Sequence, residues 1–429
     1  MEKIAILDIP SYFLCPISFQ IMKDPVTLTT GITYDRQEIE KWVFSDKHFT
    51  CPMTNQKLSE SDIEITPNHT LRRLIQSWCG KNASQGVERI PTPMPPVDRL
   101  VIGRILCDAG KSTGDGALRK LREIFGYSEW NRHCGRNAGA ADVLVTIVRK
   151  KLINDHEDDV DQVCEVALSI LNALNLSKGT LRDLVENHSD IVTLITRLLK
   201  RFSGDDNYNN NCQLACRSHA IFLLKSILTE TNSTPVVLFQ NISSLEYSDL
   251  LAEMVTVLRY SRTTTSKSVT KASLRVIGEL CQNGRNRVQA VKAGAVKVLV
   301  DILLDFPEKK VCEMAVVILD NLCGCAEGRE QLVGHPGGVA VVGKKIGRVS
   351  GLVTDRGVRI LYMVAKRTAT AALVSEMMEL GVVSKLCAVL YLECCGKTKE
   401  RVREILRLHS KAWSKSRCVI PHLITSNMY

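Results

Sequence analysis

Aromatic residues are scarce in this 429-residue chain, at 5%, although 45% of it is apolar. That balance favours helices packed by Leu, Val, Ile and Ala over a sandwich or barrel. No apolar run approaches the roughly 18 residues of a membrane span, so no span is expected. The opening stretch MEKIAILDIP has one lysine and no extended apolar segment, which argues against a secretory signal. Sixteen cysteines are scattered, mostly within helix-like apolar stripes (Cys164, Cys281, Cys312, Cys323). They read as reduced thiols acting as small apolar side chains, and a cytoplasmic location is expected. The adjacent pair Cys394 and Cys395 lacks the CxxC spacing of redox sites. Net charge is +10, with Lys and Arg spread along the chain instead of forming a block. A solvated, mildly basic surface is the expectation, and without a basic stripe interleaved with aromatics nucleic-acid binding is not.

At this length two to four domains are expected. A seam lies at GKNASQGVERIPTPMPPVDR, residues 80–99, which holds Pro91, Pro93, Pro95 and Pro96 among small and polar residues. It divides an N-terminal module, residues 8–80, from a long remainder, with residues 81–99 as linker. The remainder repeats itself. ALRKLREI at Ala117, ALSILNAL at Ala167, AIFLLKSI at Ala220, SLRVIGEL at Ser273, AVVILDNL at Ala315 and GVRILYMV at Gly357 each read as one apolar helix face. Their spacings are 50, 53, 53, 42 and 42, and the long ones contain polar insertions at NDHEDDVDQ, SGDDNYNNN and RTTTSKS. A second marker places glycines at Gly139, Gly294, Gly337 and Gly381, where one helix should end and the next start at a sharp angle. The fold class expected is mainly α: a small α+β module, then an α-solenoid over residues 100–415 and a C-terminal tail over 416–429. A helical repeat of this length resembles the armadillo type.

The N-terminal module opens on YFLCPISFQIMKDPV, whose Cys15 could be a zinc ligand, a nucleophile or neither. VTLTTGITY predicts a hairpin around Thr30 and Gly31. Asp35 and Glu38 resemble a capping box opening a helix that carries Ile39, Trp42 and Val43. Then come a second Cys-Pro loop, KHFTCPMTNQKL, and a helix that Asn68 can cap, with Leu71, Leu74, Ile75 and Trp78 on one face. Loop, hairpin, helix, loop and helix is the order of zinc-binding RING domains, which need eight ligands in paired sets. Here Ser18 stands three residues past Cys15, and before Cys79 only His48, Cys51 and His69 could add soft or imidazole ligands. No metal site is expected. Cys15 is also expected not to be a nucleophile, because apolar neighbours raise a thiol pKa.

IPSYFLCPIS, MKDPV, GITYDR, IEKW, CPMT and TPNHTLRRLIQSW together resemble a U-box almost continuously over residues 9–80. A U-box, a proline-containing linker and armadillo repeats resemble the plant U-box/armadillo ubiquitin ligases, and within them the pathogen- and stress-responsive subgroup. The resemblance implies that polar contacts replace the metals, with Asp24, Asp35, Arg36, Glu38, Asn68 and Arg72 as the candidate staples; each could equally be a helix cap or a solvated charge. It implies a shallow groove for the ubiquitin-conjugating enzyme (E2), built from Ile17 and Phe19 in the first loop, Trp42 on the helix and Pro52 in the second loop. For Phe19 and Ile17 a plain core role stays open. Related domains often carry a basic residue after the second loop that bridges E2 and ubiquitin; here Asn55 stands there, polar but uncharged. The implied activity is direct transfer of ubiquitin from E2 to a substrate lysine, with no covalent nucleophile on the ligase and no cofactor. A second reading is a non-catalytic armadillo scaffold whose U-box is structural or dimerising. Expected partners are a ubiquitin-charged E2, a protein substrate on the armadillo groove and, as an open alternative, a second copy paired through the U-box.

Overall fold

The computed structural model describes residues 8–58, 65–90, 97–111, 115–153, 160–201, 211–230, 244–261, 266–305 and 308–413. The four linker prolines, most of each polar insertion and the C-terminal tail lie outside the described residues. The chain divides into two compact units, Met1–Leu176 and Ser177–Tyr429.

In the first unit β1 (Pro25–Leu28) and β2 (Thr33–Asp35) form the hairpin, turned by Gly31 at φ +80°. A third strand, β3 (Ile65–Pro67), pairs antiparallel with the other edge of β1, so the sheet order is β2-β1-β3. Three residues containing a proline carry too little alternation to be read as a strand in the sequence. Helix α1 (Arg36–Glu40) widens into a π-turn at Lys41–Ser45, and α2 (His69–Lys81) closes the module. The caps are local chemistry: Asp35 accepts from the Gln37 amide at 3.2 Å, and Asn68 from the Leu71 amide at 3.0 Å. The reciprocal half of the capping box is not formed, because the Asp35 amide donates instead to Cys15 Sγ. The core of the module is Cys15, Val26, Tyr34, Ile39, Val43, Cys51 and Ile75, all fully buried. Beyond it stand α3 (Arg99–Lys111), α4 (Asp115–Tyr127), α5 (Glu129–Asn137), α6 (Ala140–Ile153) and α7 (Val160–Ala173), with α4 packed along α7.

The second unit repeats a short helix, a second helix and a longer one, as in Gly284–Lys292, Ala295–Asp305 and Lys309–Leu322. The longer helices stack on one another as a row: Asn211–Glu230, Lys267–Leu280, Lys309–Leu322, Gly351–Arg367 and Gly396–Leu408. All six apolar markers fall on α4, α7 or this row. The last row helix escaped the marker because the position held elsewhere by Ala, Ser or Gly is Arg401. A repeated device ends these helices. Arg287 donates to the Cys281 carbonyl and Arg329, 42 residues later, to the Cys323 carbonyl, both at 2.9 Å. Each places a cation on carbonyls that no amide of the helix can reach. Of the four marker glycines, Gly139, Gly294 and Gly381 have the left-handed φ that breaks a helix, whereas Gly337 sits at φ −105°. There the turn is closed differently, by the Gly337 amide donating to His335 Nδ1 at 3.1 Å.

Candidate functional site

The two Cys-Pro loops are the same turn built twice. Cys15 N donates to Gln20 O and Phe19 N to Cys15 O; Cys51 N donates to Gln56 O and Asn55 N to Cys51 O, all at 2.8 Å. Each turn is closed by a bridge, Leu14 to Ile21 and Thr50 to Lys57. The fifth residue of each turn is left-handed, Phe19 at φ +57° and Asn55 at φ +55°. Asparagine tolerates that region, but a bulky side chain there is an outlier, and such strain tends to sit at working surfaces.

Both turns hang from adjacent residues of β2. Cys15 Sγ accepts from the Asp35 amide at 3.3 Å, and Cys51 Sγ shares a hydrogen bond with the Tyr34 hydroxyl at 3.1 Å. The same hydroxyl accepts from the Met53 amide at 3.2 Å. Burial pushes the Cys51 thiol up, but hydrogen bonds from Thr30, Thr54 and Tyr34 outweigh it and bring the thiol down to about 6. The sulfur is nevertheless fully buried. It is a polar knot that ties the second loop to the sheet, and no electrophile can reach it.

A second knot ties the first loop to both helices. Arg36 Nε donates to Asp24 Oδ2 at 2.6 Å, Arg72 approaches Asp24 Oδ1 at 3.7 Å, and Asp35 accepts from the Lys23 amide at 2.6 Å. Asn68, besides capping α2, donates to Thr27 Oγ1 at 3.4 Å. Five of the six staple candidates are thus brought into contacts of this kind. Glu38 makes no such contact among the described residues; it lines an open cleft between α1 and the Gly126–Arg132 segment.

Of the groove candidates, Phe19 is 76% exposed. Its side chain lies outside the core, so the core role left open for it does not hold. Ile17 and Trp42 are half-buried against the module's core, and Pro52 is half-buried in its loop. Trp42 Nε1 donates to the Thr50 carbonyl at 2.8 Å and its ring stacks on His48, which fixes the helix end beside the second loop. Asn55 is exposed. Met53, 61% exposed, adds an apolar side chain that the sequence reading missed, although it holds the place in its turn that Ile17 holds in the first. Phe19 and Met53 give these two loops large apolar groups exposed to solvent.

The other side of α1 is occupied. Glu40 Oε2 accepts from the Trp130 amide at 3.1 Å, in the first turn of α5, where amides lack helical partners. Phe44 stacks on His133 with ring centroids 4.8 Å apart and lies 5.7 Å from Trp130. Burial pushes the Glu40 carboxyl up, an effect that the Trp130 amide, the Ser128 hydroxyl and Arg36 only partly offset. Nothing in the sequence pointed to this contact, because its members lie 90 residues apart.

Comparison with known proteins bears on both parts. The family model "U-box domain" matches residues 9–84, and "Plant U-box protein ARM repeat region" matches residues 104–428. The chain belongs to the plant U-box/armadillo E3 ubiquitin-protein ligases. It is similar to E3 ubiquitin-protein ligase PUB23 of Arabidopsis thaliana, 41% identical over 97% of each chain. It is also similar to PUB22 of the same plant, 37% identical over 98% of each chain, and to PUB24, 32% identical over 98% of this chain and 96% of the relative. As a U-box E3 it is a RING-type ubiquitin transferase with an E2 as partner. No described helix is long and apolar enough to cross a membrane.

Proposed function

We propose that the U-box of this ligase binds a ubiquitin-charged E2 through Ile17, Phe19, Trp42 and Pro52, extended by Met53. Transfer then proceeds directly from the E2 thioester to a lysine of a protein held by the armadillo repeats. The ligase contributes orientation: it holds thioester and amine together and lowers the entropic part of the barrier. The observation that carries this reading is Phe19, a left-handed, largely exposed aromatic beside half-buried Ile17. An anchor of this kind is worth about 2 kcal/mol to a partner. The surface is small, so binding is weak and spent E2 leaves readily. Asn55 lies in the second loop where it can donate to and accept from E2 and ubiquitin, without the charge of a basic residue. A cytoplasmic role in plant defence or stress signalling, which the resemblance of the sequence to that subgroup implies, is part of the same proposal. Asp24, Asp35, Arg36, Asn68 and Arg72 act as the staples that make metal unnecessary. The test is autoubiquitination with activating enzyme, a panel of E2s and ubiquitin. A ladder lost in Ile17→Ala with folding unchanged supports the proposal; no ladder with any E2 moves the protein to a scaffold whose U-box is structural or dimerising.

A further inference from the structure

Lys and Arg look evenly spread in the sequence, but the fold gathers them. Four consecutive row helices, Lys267–Leu280, Lys309–Leu322, Gly351–Arg367 and Gly396–Leu408, carry fourteen lysines and arginines against six carboxylates. They therefore hold most of the chain's net charge of +10. The third residue of each apolar marker is Arg275, Val317 and Arg359, 42 residues apart, and Arg403 follows 44 residues later. Equivalent positions on stacked repeats share a face, so three arginines and one valine run across the row.

Part of this face is held from behind. Asp320, fully buried, takes Arg356 at 3.0 Å and Arg359 at 3.2 Å from the next helix. Asp355 takes the Thr398 hydroxyl at 2.6 Å and Arg401 at 3.3 Å from the helix after that. Arg356 Nε approaches Asp355 at 4.0 Å, which joins the two groups into one chain of three guanidinium and two carboxylate groups. The side chains of Arg359, Arg356 and Arg401 stay 39%, 33% and 28% exposed. A guanidinium has five donors in a fixed fork, so each retains donors toward solvent. Arg403 is exposed and has no hydrogen bond or ion pair among the described residues.

We propose that this face docks an extended acidic segment of a partner protein, with Asp or Glu carboxylates on Arg275, Arg359 and Arg403 and an apolar residue over Val317. The proposal rests on the armadillo repeats being the substrate receptor and specifies the substrate class. Packed helices lie about 10 Å apart, and an extended chain advances about 3.3 Å per residue. One carboxylate every third residue therefore meets one arginine per repeat. Carboxylate matches the planar guanidinium fork, and a pre-held fork loses less entropy on binding. Nucleic acid is the poorer fit, because the one aromatic on these four helices, Tyr362, is already engaged by Lys366, whose Nζ lies 2.7 Å from its hydroxyl and 5.1 Å from its ring centroid.

The test is fluorescence anisotropy of the full chain with a labelled twelve-residue peptide bearing Glu at every third position and Leu at one register position. A peptide of the same composition with its glutamates gathered at one end and a labelled single-stranded oligonucleotide serve as competitors. The spaced peptide is expected to bind tightest at low salt and to weaken as salt rises. Arg403→Glu should weaken it at least about threefold, the scale of one exposed ion pair. Arg403 has no partner among the described residues to lose, and circular dichroism checks the fold. No binding, equal binding of the clustered peptide, stronger binding of the oligonucleotide, or an unchanged Arg403→Glu affinity would each overturn the proposal. Since binding is read without ligase activity, its failure alongside a normal autoubiquitination ladder strikes this inference alone.

Discussion

Replacing Asp24 by alanine removes the acceptor at the centre of the first knot. Asp24 and Arg36 are 9% and 6% exposed, and Arg36 Nε sits 2.6 Å from Asp24 Oδ2. What remains for Arg36 is Glu40 at 3.6 Å, an ion pair but not a hydrogen bond. Removing one partner of a buried pair costs about 3–5 kcal/mol, because the other charge stays buried and uncompensated. Arg72 keeps 21% side-chain exposure and can turn to water, which favours the lower end. About 3 kcal/mol corresponds to a factor of about 160 in the local opening equilibrium, at 1.36 kcal/mol per tenfold. A chain of two units has no single unfolding free energy, so hydrogen exchange is the assay. Amides of β1, β2 and α1 should exchange about 100-fold faster in Asp24→Ala, while the Lys309–Leu322 helix keeps its protection. Asp24→Asn, which retains an acceptor oxygen, should lie between. Wild-type exchange of β1 and β2 in Asp24→Ala would refute the idea that these contacts do the work of a metal.

Three further tests concern other parts of the fold. Glu40 has a folded pKa above its ordinary value, so folding is opposed by its ionised form: its penalty is full above the folded pKa and vanishes as pH falls to the ordinary glutamate range. Glu40→Gln should therefore raise the melting temperature at pH 8, with the gap to wild type closing as pH is lowered; a gap independent of pH would contradict the assignment. A Cβ at Gly328 would collide with the Leu322 carbonyl oxygen, whereas one at Gly334 meets open space. Gly328→Ala should speed amide exchange in the Lys309–Leu322 helix at least about 30-fold, the equivalent of about 2 kcal/mol, and Gly334→Ala should leave that exchange near wild type. Treating the ligase with EDTA and removing the chelator before assay should change neither its melting temperature nor its autoubiquitination rate, since no group of three or more His, Cys, Asp or Glu among the described residues could hold a metal ion; a loss restored by zinc would overturn that.

What could be read in the sequence was local or periodic. Asp35 and Asn68 are caps because their side chains reach amides two and three residues on. The hairpin follows from β-formers around Gly31, and the row helices follow from one apolar face repeated at a nearly constant interval. What escaped depended on distant partners. Nothing in the stretch VTLTTGITY shows that Tyr34 shares a hydrogen bond with a thiol 17 residues away. Glu40 and Phe44 carry no signal in the pattern of their short helix, yet they meet α5. The exposure of Phe19 follows from a left-handed backbone that no propensity assigns to phenylalanine. Gly337 shows the reverse case, in which a matching residue at a matching interval takes a different conformation because the neighbouring His335 closes the turn. Charge was the least legible property, because even spacing along a chain becomes a cluster when the repeat length equals the spacing.

On the proposed function the two-loop surface activates a charged E2. Single-turnover discharge of an E2-ubiquitin thioester onto free lysine tests it without a substrate protein. Wild type should accelerate discharge, Ile17→Ala should lower that acceleration by roughly the 30-fold that about 2 kcal/mol of anchor binding represents, and Asn55→Arg should raise it. Discharge that Ile17→Ala leaves as fast as wild type, in a variant shown to be folded, would contradict the account.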